Sequence, residues 1–449
     1  MSKVSIVTLG CPKNAVDSEG LAGLIAAGGH ELSEAPEGSD VVVVNTCGFI
    51  DPARRETVQE VLDLAELKEE GLKGLVLTGC LVARSADELA GALPEVDALV
   101  DFAAYGQIAE VVSRAAEGTL TQKVFGTPGT RFDPAWWDAT IAASPRIRFG
   151  RAPWAYVKIA EGCDRGCTFC AIPLMRGKFR SRDPDVVVAE TQALVAQGVS
   201  EISLVSQDSV MWGRDSETGD FEDLLGRLER IDGVRRLRLM YLHPQGVTDA
   251  LIDKVVSSDV IASYFDLSLQ HVSPAVLKAM GRWGSRQRFE RMIARIRDAD
   301  PLAAVRSTFI LGFPGESDAD AAEVESFVAD TDLDWVGVFT YSPEEGTRSH
   351  DLLGRIPDAI ARERAGAATS AAEITMSRRA ESLIGETLDV LVERFDMDAG
   401  TWTGRSHREA PEVDGEIVFS TDVTLKVGEL AEVLVTGSIG ADLVGKHQT

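Results

Sequence analysis

The sequence predicts an α/β protein in three parts: an N-terminal parallel α/β domain, an open six-unit β/α barrel, and a C-terminal small antiparallel β-barrel of oligonucleotide-binding type. Three observations carry this. Short β-branched apolar runs alternate with helical patterns over residues 1–125 and again over 154–341, the rhythm of strand–helix–strand units in a parallel sheet. The last stretch, 383–449, changes to short alternating runs separated by Gly and Asp turns, which suits a small barrel. All six cysteines fall just past a predicted strand, on the edge of a parallel sheet where ligands bind.

Composition narrows the function. With 449 residues the chain has room for two to four domains. Acidic residues outnumber basic ones, 71 to 45, for a formal charge of −26. Such a chain is a poor general binder of nucleic acid and suits a basic protein partner better. Residues 1–10 run straight into an apolar strand without the features of a signal peptide. No apolar run approaches the ~20 residues that span a bilayer. A cytoplasmic location without membrane attachment is therefore expected, with reduced thiols. Metal or cluster ligation is then a better default for the six cysteines than three disulfides.

In the first part, strands are expected at Val4–Leu9, Val41–Val44, Leu75–Leu77 and Val96–Val100, with helices at 16–27, 54–69 and 86–93. Cys11, Cys47 and Cys80 each follow one of these strands, separated by 47 − 11 = 36 and 80 − 47 = 33 residues. One such step per βα unit brings the three thiols to one edge of the sheet. The alternative is three small buried hydrophobes.

Residues 126–150, with Gly126, Pro128, Gly129, Pro134 and Pro145, break periodicity and read as a linker or packed loop, anchored by Trp136 and Trp137. The barrel strands follow at Trp154–Ile159, Glu201–Val205, Arg236–Tyr241, Tyr264–Leu269, Val305–Leu311 and Val336–Tyr341. In such a barrel chemistry gathers at the strand C-termini. Residues 357–382 read as one long closing helix, so the expected divisions are 1–125, 126–150, 151–382 and 383–449.

The chemistry centres on Cys163, Cys167 and Cys170, a C-x3-C-x2-C loop directly after the first barrel strand. Three thiols in eight residues can bend round one small object. A 4Fe–4S cluster wants four ligands and would keep one iron open. Zinc is the rival, but structural zinc sites use paired motifs or Cys/His sets, and no second pair or suitable histidine lies nearby. Arg176, Lys178, Arg180 and Arg182 follow as a basic strip. Residues 151–182 hold seven basic and two acidic residues, against the chain's trend. The strip could neutralise thiolates or a bound carboxylate, or be a solvated segment.

The spacing and position of this loop, with the aromatic Phe169 between its second and third cysteines, resemble the radical S-adenosylmethionine superfamily. That resemblance implies S-adenosylmethionine on the open iron, reductive cleavage of its sulfonium, and a 5′-deoxyadenosyl radical. It also suggests cofactor contacts from Ser206, Gln207 and Asp208, although the usual Gly-Gly-Glu is absent there. Gln270 and Arg306 lie on later strands and could touch the cofactor's polar groups, and Phe309–Glu316 has glycines suited to close backbone approach. Ordinary hydrogen-bonding roles fit each of these residues as well.

With three N-terminal cysteines, a radical barrel and a terminal small barrel, the whole chain resembles the radical S-adenosylmethionine methylthiotransferases. The resemblance implies a second 4Fe–4S cluster on Cys11, Cys47 and Cys80, and it identifies the small barrel as a TRAM domain. A methylthio group is then inserted at a carbon activated by the radical. It also implies an electron donor such as a flavodoxin or ferredoxin. Leu9-Gly10-Cys11-Pro12-Lys13-Asn14, Ala171–Lys178 and Leu269–Pro274 look like the branch that modifies an aspartate β-carbon of the small-subunit ribosomal protein S twelve. The other branch modifies adenosine in transfer RNA. Residues 377–449 hold 7 Lys/Arg against 14 Asp/Glu, a charge that repels RNA and attracts a basic ribosomal protein or subunit. A non-catalytic iron–sulfur or RNA-binding scaffold is the remaining alternative.

Overall fold

The computed structural model describes residues 1–126, 134–217 and 219–448. The first sheet has six parallel strands in the order Glu31–Ser33, Lys3–Thr8, Val41–Thr46, Gly74–Gly79, Ala98–Val100, Val124–Phe125. The two edge strands are too short to show a period in the sequence. Val41–Thr46 and Gly74–Gly79 are buried at every position, which is why they read as continuous rather than alternating runs. Successive side chains go to opposite faces. Val41 and Val43 join the helices Pro12–Ala27 and Ile108–Glu117, whereas Val42 and Val44 join Asp51–Glu66 and Cys80–Ala92.

Two local expectations change. The helix predicted from residue 86 begins at Cys80 and bends at Ser85, so this thiol sits in the first helical turn. The presumed linker contains a helix, Pro134–Ala143; proline at a first helical position loses no needed N–H bond. Its Trp137 is fully buried over Gly20, where a Cβ would come within 2.2 Å of the ring. Pro128 and Gly129 lie outside the described residues.

The barrel strands are Trp154–Lys158, Glu201–Val205, Arg236–Leu239, Tyr264–Gln270, Ala304–Leu311 and Trp335–Thr340, all parallel and adjacent in chain order. They form two three-stranded sheets joined by the bridges Leu237↔Ile261 and Leu242↔Leu267. Helix Pro12–Ala27 lies against the first strand and helix Asp358–Glu381 against the last, so each open edge is covered. The terminal barrel closes from five strands. It is antiparallel except for Ile417–Ser420, which runs parallel to Asp442–His447.

The segment 405–414 leaves that small barrel and floors the larger one. Arg236 and Arg238 donate to the carbonyls of Arg405 (2.8 Å) and His407 (2.6 Å), Trp335 to that of Arg408 (2.7 Å) and Tyr156 to that of Pro411 (2.9 Å). Tyr264 donates to the Asp414 carboxylate at 2.7 Å. These donors lie at or near the starts of their strands, so the opposite, C-terminal mouth is left for chemistry. Among the described residues no helix is long and apolar enough to cross a membrane.

Burial pushes the Asp414 carboxyl up to about 6, although Arg306 and Tyr264 favour its charged form. An unfolded aspartate titrates near ~4. Folding therefore favours the acid form, a contribution complete below the unfolded value and lost as pH rises through about 6. Relative to Asp414→Asn, the wild-type protein should lose thermal stability across that window. Melting curves of both proteins check this, and a pH-independent difference would contradict it.

Candidate functional site

Each N-terminal thiol is delivered by a strand end. Cys11 precedes helix Pro12–Ala27, Cys47 follows Val41–Thr46, and Cys80 follows Gly74–Gly79. Close approach depends on small neighbours. Gly10 has φ +98°, and a Cβ there would lie 2.9 Å from the Cys47 sulfur; Gly79 has φ +93°, and a Cβ there would meet the Asn45 side-chain oxygen at 2.3 Å. Asn14 braces the group. Its amide donates to the carbonyls of Leu9 (2.8 Å) and Thr46 (3.0 Å), and its oxygen stands 3.8 Å from the Cys80 sulfur. Burial pushes the Cys80 thiol up to about 12, with Cys11 and Cys47 adding to the rise. Gly10, beside Cys11, lies against Cys47, and Asn14 reaches Cys80, so the three residues share one neighbourhood.

The loop Cys163–Cys170 hangs between a short hairpin, Ala160–Glu161 with Arg180–Ser181, and the segments that follow later barrel strands. Cys163 N–H donates to the Gly177 carbonyl (3.1 Å), Thr168 N–H to that of Met280 (2.8 Å), and Ser349 N–H to that of Thr168 (2.9 Å). Arg282 brings an N–H to 3.5 Å from the Cys167 sulfur. Burial again leads the rise of Cys163 to about 11 and Cys170 to about 12, and the neighbouring thiols contribute. Among the described residues no three His, Cys, Asp or Glu side chains are gathered tightly enough to hold one metal ion. A cluster that takes one sulfur per iron does not require that tightness.

Arg176 links Cys80 to Glu161, in the segment that leads into the second triad. It is buried, and its Nε donates to the Cys80 sulfur at 3.3 Å. Its other nitrogens reach Asn14 Oδ1 (2.7 Å), Asp17 Oδ2 (2.8 Å) and both Glu161 oxygens (3.0 Å). Lys158 closes the set by donating to Asp17 and, at 2.7 Å, to Glu161. Two cations and two anions thus share a dry contact, with side-chain exposures of 0% to 1%. Burial alone would raise the Glu161 carboxyl, but Arg176 and Lys158 hold it well below the usual carboxylate range. Glu344, in the segment after the last barrel strand, makes a separate tie by pairing with Arg54 and Arg84.

The remaining sequence candidates divide. Gln207 donates to Glu161 at 3.0 Å, and its own side-chain oxygen is buried without a partner among the described residues. The Ser206 carbonyl accepts from Lys13 at 3.4 Å, and that ammonium also lies 3.4 Å over the Tyr241 ring. Asp208 pairs with Arg165 of the cysteine loop at 2.5 Å. Gln270 donates to Thr308 at 3.2 Å. Tyr241 and Gln270, at the mouth, have φ of +59° and +73°; such non-glycine strain concentrates at functional sites. Arg306 lies toward the floor, paired with Asp266 (3.2 Å) and Asp414 (3.1 Å). In Phe309–Glu316 the Glu316 carboxylate accepts the Gly312 N–H at 2.9 Å and pairs with Arg364 at 2.8 Å, which fixes the loop. The basic strip splits: Arg176 turns to Cys80, Arg182 to Asp138 and Glu190, and Lys178 and Arg180 are exposed.

Sequence reasoning named Lys13 and Asn14 only as part of a family-like motif around Cys11, and missed His243, Arg282 and Glu344 as parts of this neighbourhood. His243 is buried close to Arg282 and Arg165, and burial with those charges lowers it to about 2, so it is neutral. A cavity of about 460 Å³ runs from Cys11 past Glu19 and Arg146 to Tyr156 and Glu412.

Removing one member of a buried ionic set strands the others and typically costs about 3–5 kcal/mol. Arg176→Ala should destabilise the protein by roughly that amount in chemical denaturation, and Arg176→Lys should recover only part of it because an ammonium lacks the planar fork.

Three family models match the chain: the uncharacterized protein family UPF0004 over residues 3–101, the radical SAM superfamily over 157–328 and the TRAM domain over 384–447. Among curated relatives, proteins named ribosomal protein uS12 methylthiotransferase RimO are 40% identical in Kineococcus radiotolerans (99% of this chain, 96% of that protein) and 37% identical in Bdellovibrio bacteriovorus (99% and 97%). Among solved structures, the radical S-adenosylmethionine methyltransferase TsrM from Kitasatospora setae, with cobalamin and a [4Fe-4S] cluster bound, superposes with a TM-score of 0.57 at 16% identity, covering 78% of this chain and 74% of that one.

Proposed function

This chain belongs to the ribosomal protein uS12 methylthiotransferase family, and we propose that it places a methylthio group on the β-carbon of an aspartate in the small-subunit ribosomal protein S twelve. The observation that carries this reading is one buried guanidinium that touches Cys80 of the first three-thiol group and Glu161, two residues before the second. Cys163, Cys167 and Cys170 would hold a 4Fe–4S cluster with one iron open to S-adenosylmethionine, and Cys11, Cys47 and Cys80 a second. The donor sets fit. Each offers three soft ligands, and Arg176 and Arg282 aim N–H groups at one sulfur of each. When bound, these groups supply the radical that activates carbon and the sulfur that is methylated and inserted.

The protein's part is positional and electrostatic. Arg176 offsets the charge of a deprotonated Cys80 and fixes Glu161, two residues before Cys163. Glu161 in turn orients the Gln207 amide at the barrel mouth, leaving the unpartnered Gln207 oxygen for a cofactor donor such as the methionine amine. Lys13 is a buried cation without a carboxylate partner among the described residues, suited to an anionic group near Cys11. The acidic terminal barrel supports a basic protein substrate over RNA. An electron-donor protein and the small ribosomal subunit complete the set of partners.

Anaerobic reconstitution with iron, sulfide and a reductant should yield 5′-deoxyadenosine from S-adenosylmethionine; a reconstituted protein that makes none would refute the radical chemistry. Replacing Cys11, Cys47 and Cys80 together with Ala should lower bound iron from about eight to about four per chain. That variant should still form 5′-deoxyadenosine but no methylthio product. The substrate is tested by mass spectrometry of ribosomal protein S twelve from a strain lacking this gene, where the methylthio increment should vanish.

A further inference from the structure

One end of the loop Cys163–Cys170 reaches the surface: Asp164 and Gly166 are exposed, and the three cysteines are half-buried. Two walls grip that end. On one side Arg165 donates to the Gln245 side chain at 3.0 Å. On the other, Met280 accepts from Thr168 at 2.8 Å, and Arg282 stands 3.5 Å from the Cys167 sulfur. Both walls continue outward into one groove of about 450 Å³, through Val247 on the first side and Trp283, Arg288 and Arg291 on the second. Val247 is two residues from Gln245, and Trp283 directly follows Arg282. The groove therefore opens just outboard of the cysteine loop.

Its charge runs against that of the molecule. The groove is lined by Arg288, Arg291 and Arg295 against the single acid Asp249, a local balance of 3 − 1 = +2 on a chain of −26. Arg295 is answered by Asp249 and Asp253. Arg288 and Arg291 are exposed, with the Arg288 guanidinium 5.1 Å over the Trp283 ring. Lys278 is exposed on the helix Pro274–Ala279 that leads into Met280, and the exposed Arg348 donates to the Gly166 carbonyl.

We propose that this cationic groove docks a small acidic one-electron carrier protein. The proposal rests on the radical chemistry above, which consumes one electron for each S-adenosylmethionine cleaved. The carrier's reduced centre gives up one electron at the groove; that electron reduces the sulfonium of S-adenosylmethionine, whose carbon–sulfur bond breaks to methionine and the 5′-deoxyadenosyl radical, and no atom passes between the two proteins. A chain of −26 repels an acidic carrier over most of its surface. A basic patch at the point where the cysteine loop comes nearest to solvent overcomes that repulsion locally and fixes the approach. Trp283 offers an apolar centre within a charged rim, the usual anatomy of a specific contact.

The test uses the full-length reconstituted protein, the charge-reversed variant Lys278→Glu/Arg288→Glu/Arg291→Glu, and the milder triple glutamine variant. An acidic flavodoxin and the small reductant dithionite serve as the two electron sources. With dithionite, both variants should form 5′-deoxyadenosine at the wild-type rate. With flavodoxin hydroquinone, the KM for flavodoxin should rise about tenfold or more in the charge-reversed variant and less in the glutamine variant. Titration calorimetry with oxidised flavodoxin should show the same ordering and a weaker salt dependence than wild type. Unchanged flavodoxin affinity in the charge-reversed variant would overturn the proposal, as would a loss of RNA or ribosomal-protein binding with flavodoxin binding intact. If dithionite yields no 5′-deoxyadenosine from the wild type, the radical reading fails, and calorimetry still decides the docking site on its own.

Discussion

The contact among Asp17, Lys158, Glu161 and Arg176 holds the two halves of the molecule in one relation. Asp17 belongs to the helix Pro12–Ala27 that follows Cys11, and the other three flank the loop Cys163–Cys170. Dry charges are expensive unless all are matched, and here the signs balance and Arg176 makes bonds in several directions at once. A helix sliding along the barrel by a fraction of a turn would break several of these bonds together. The geometry between Cys80 and the barrel mouth is therefore fixed by a contact with few alternative arrangements, which is what transfer between two centres requires.

The rest of the architecture can be understood as support for that joint. The floor made by residues 405–414 occupies the strand N-termini of the barrel, which leaves the opposite mouth facing the N-terminal thiols. The terminal barrel is thus a structural part of the catalytic body as well as an acidic surface. The half-buried cysteine loop sits between the joint on its inner side and a cationic groove on its outer side. The barrel mouth, the N-terminal triad and the loop tip are thus three distinct places on the molecule.

Much of this was legible in the sequence because strand ends are local events. The β-branched runs before Cys11, Cys47 and Cys80 place those residues on one sheet edge by periodicity alone, and the C-x3-C-x2-C loop declares itself by spacing. What stayed hidden depends on partners far away in the chain. Arg176 reads as one member of a basic strip; only packing shows that it turns inward to Cys80, while Arg182 serves Asp138 and Glu190. Arg306, a candidate by its strand position, lies toward the floor because Asp414 reaches it from the terminal barrel. The helix Pro134–Ala143 was masked by flanking proline and glycine signals, though its buried tryptophan hinted at packing.

If the two cysteine triads carry neighbouring clusters in a fixed geometry, as proposed, the two reduced clusters interact magnetically. Electron paramagnetic resonance of the fully reconstituted, reduced protein reads that interaction. The expected spectrum is broadened by magnetic interaction between the two reduced clusters and collapses to a simple single-cluster signal when either triad is replaced by alanine. A wild-type spectrum equal to the plain sum of the two triad-variant spectra would place the clusters too far apart to cooperate, and would contradict that geometry.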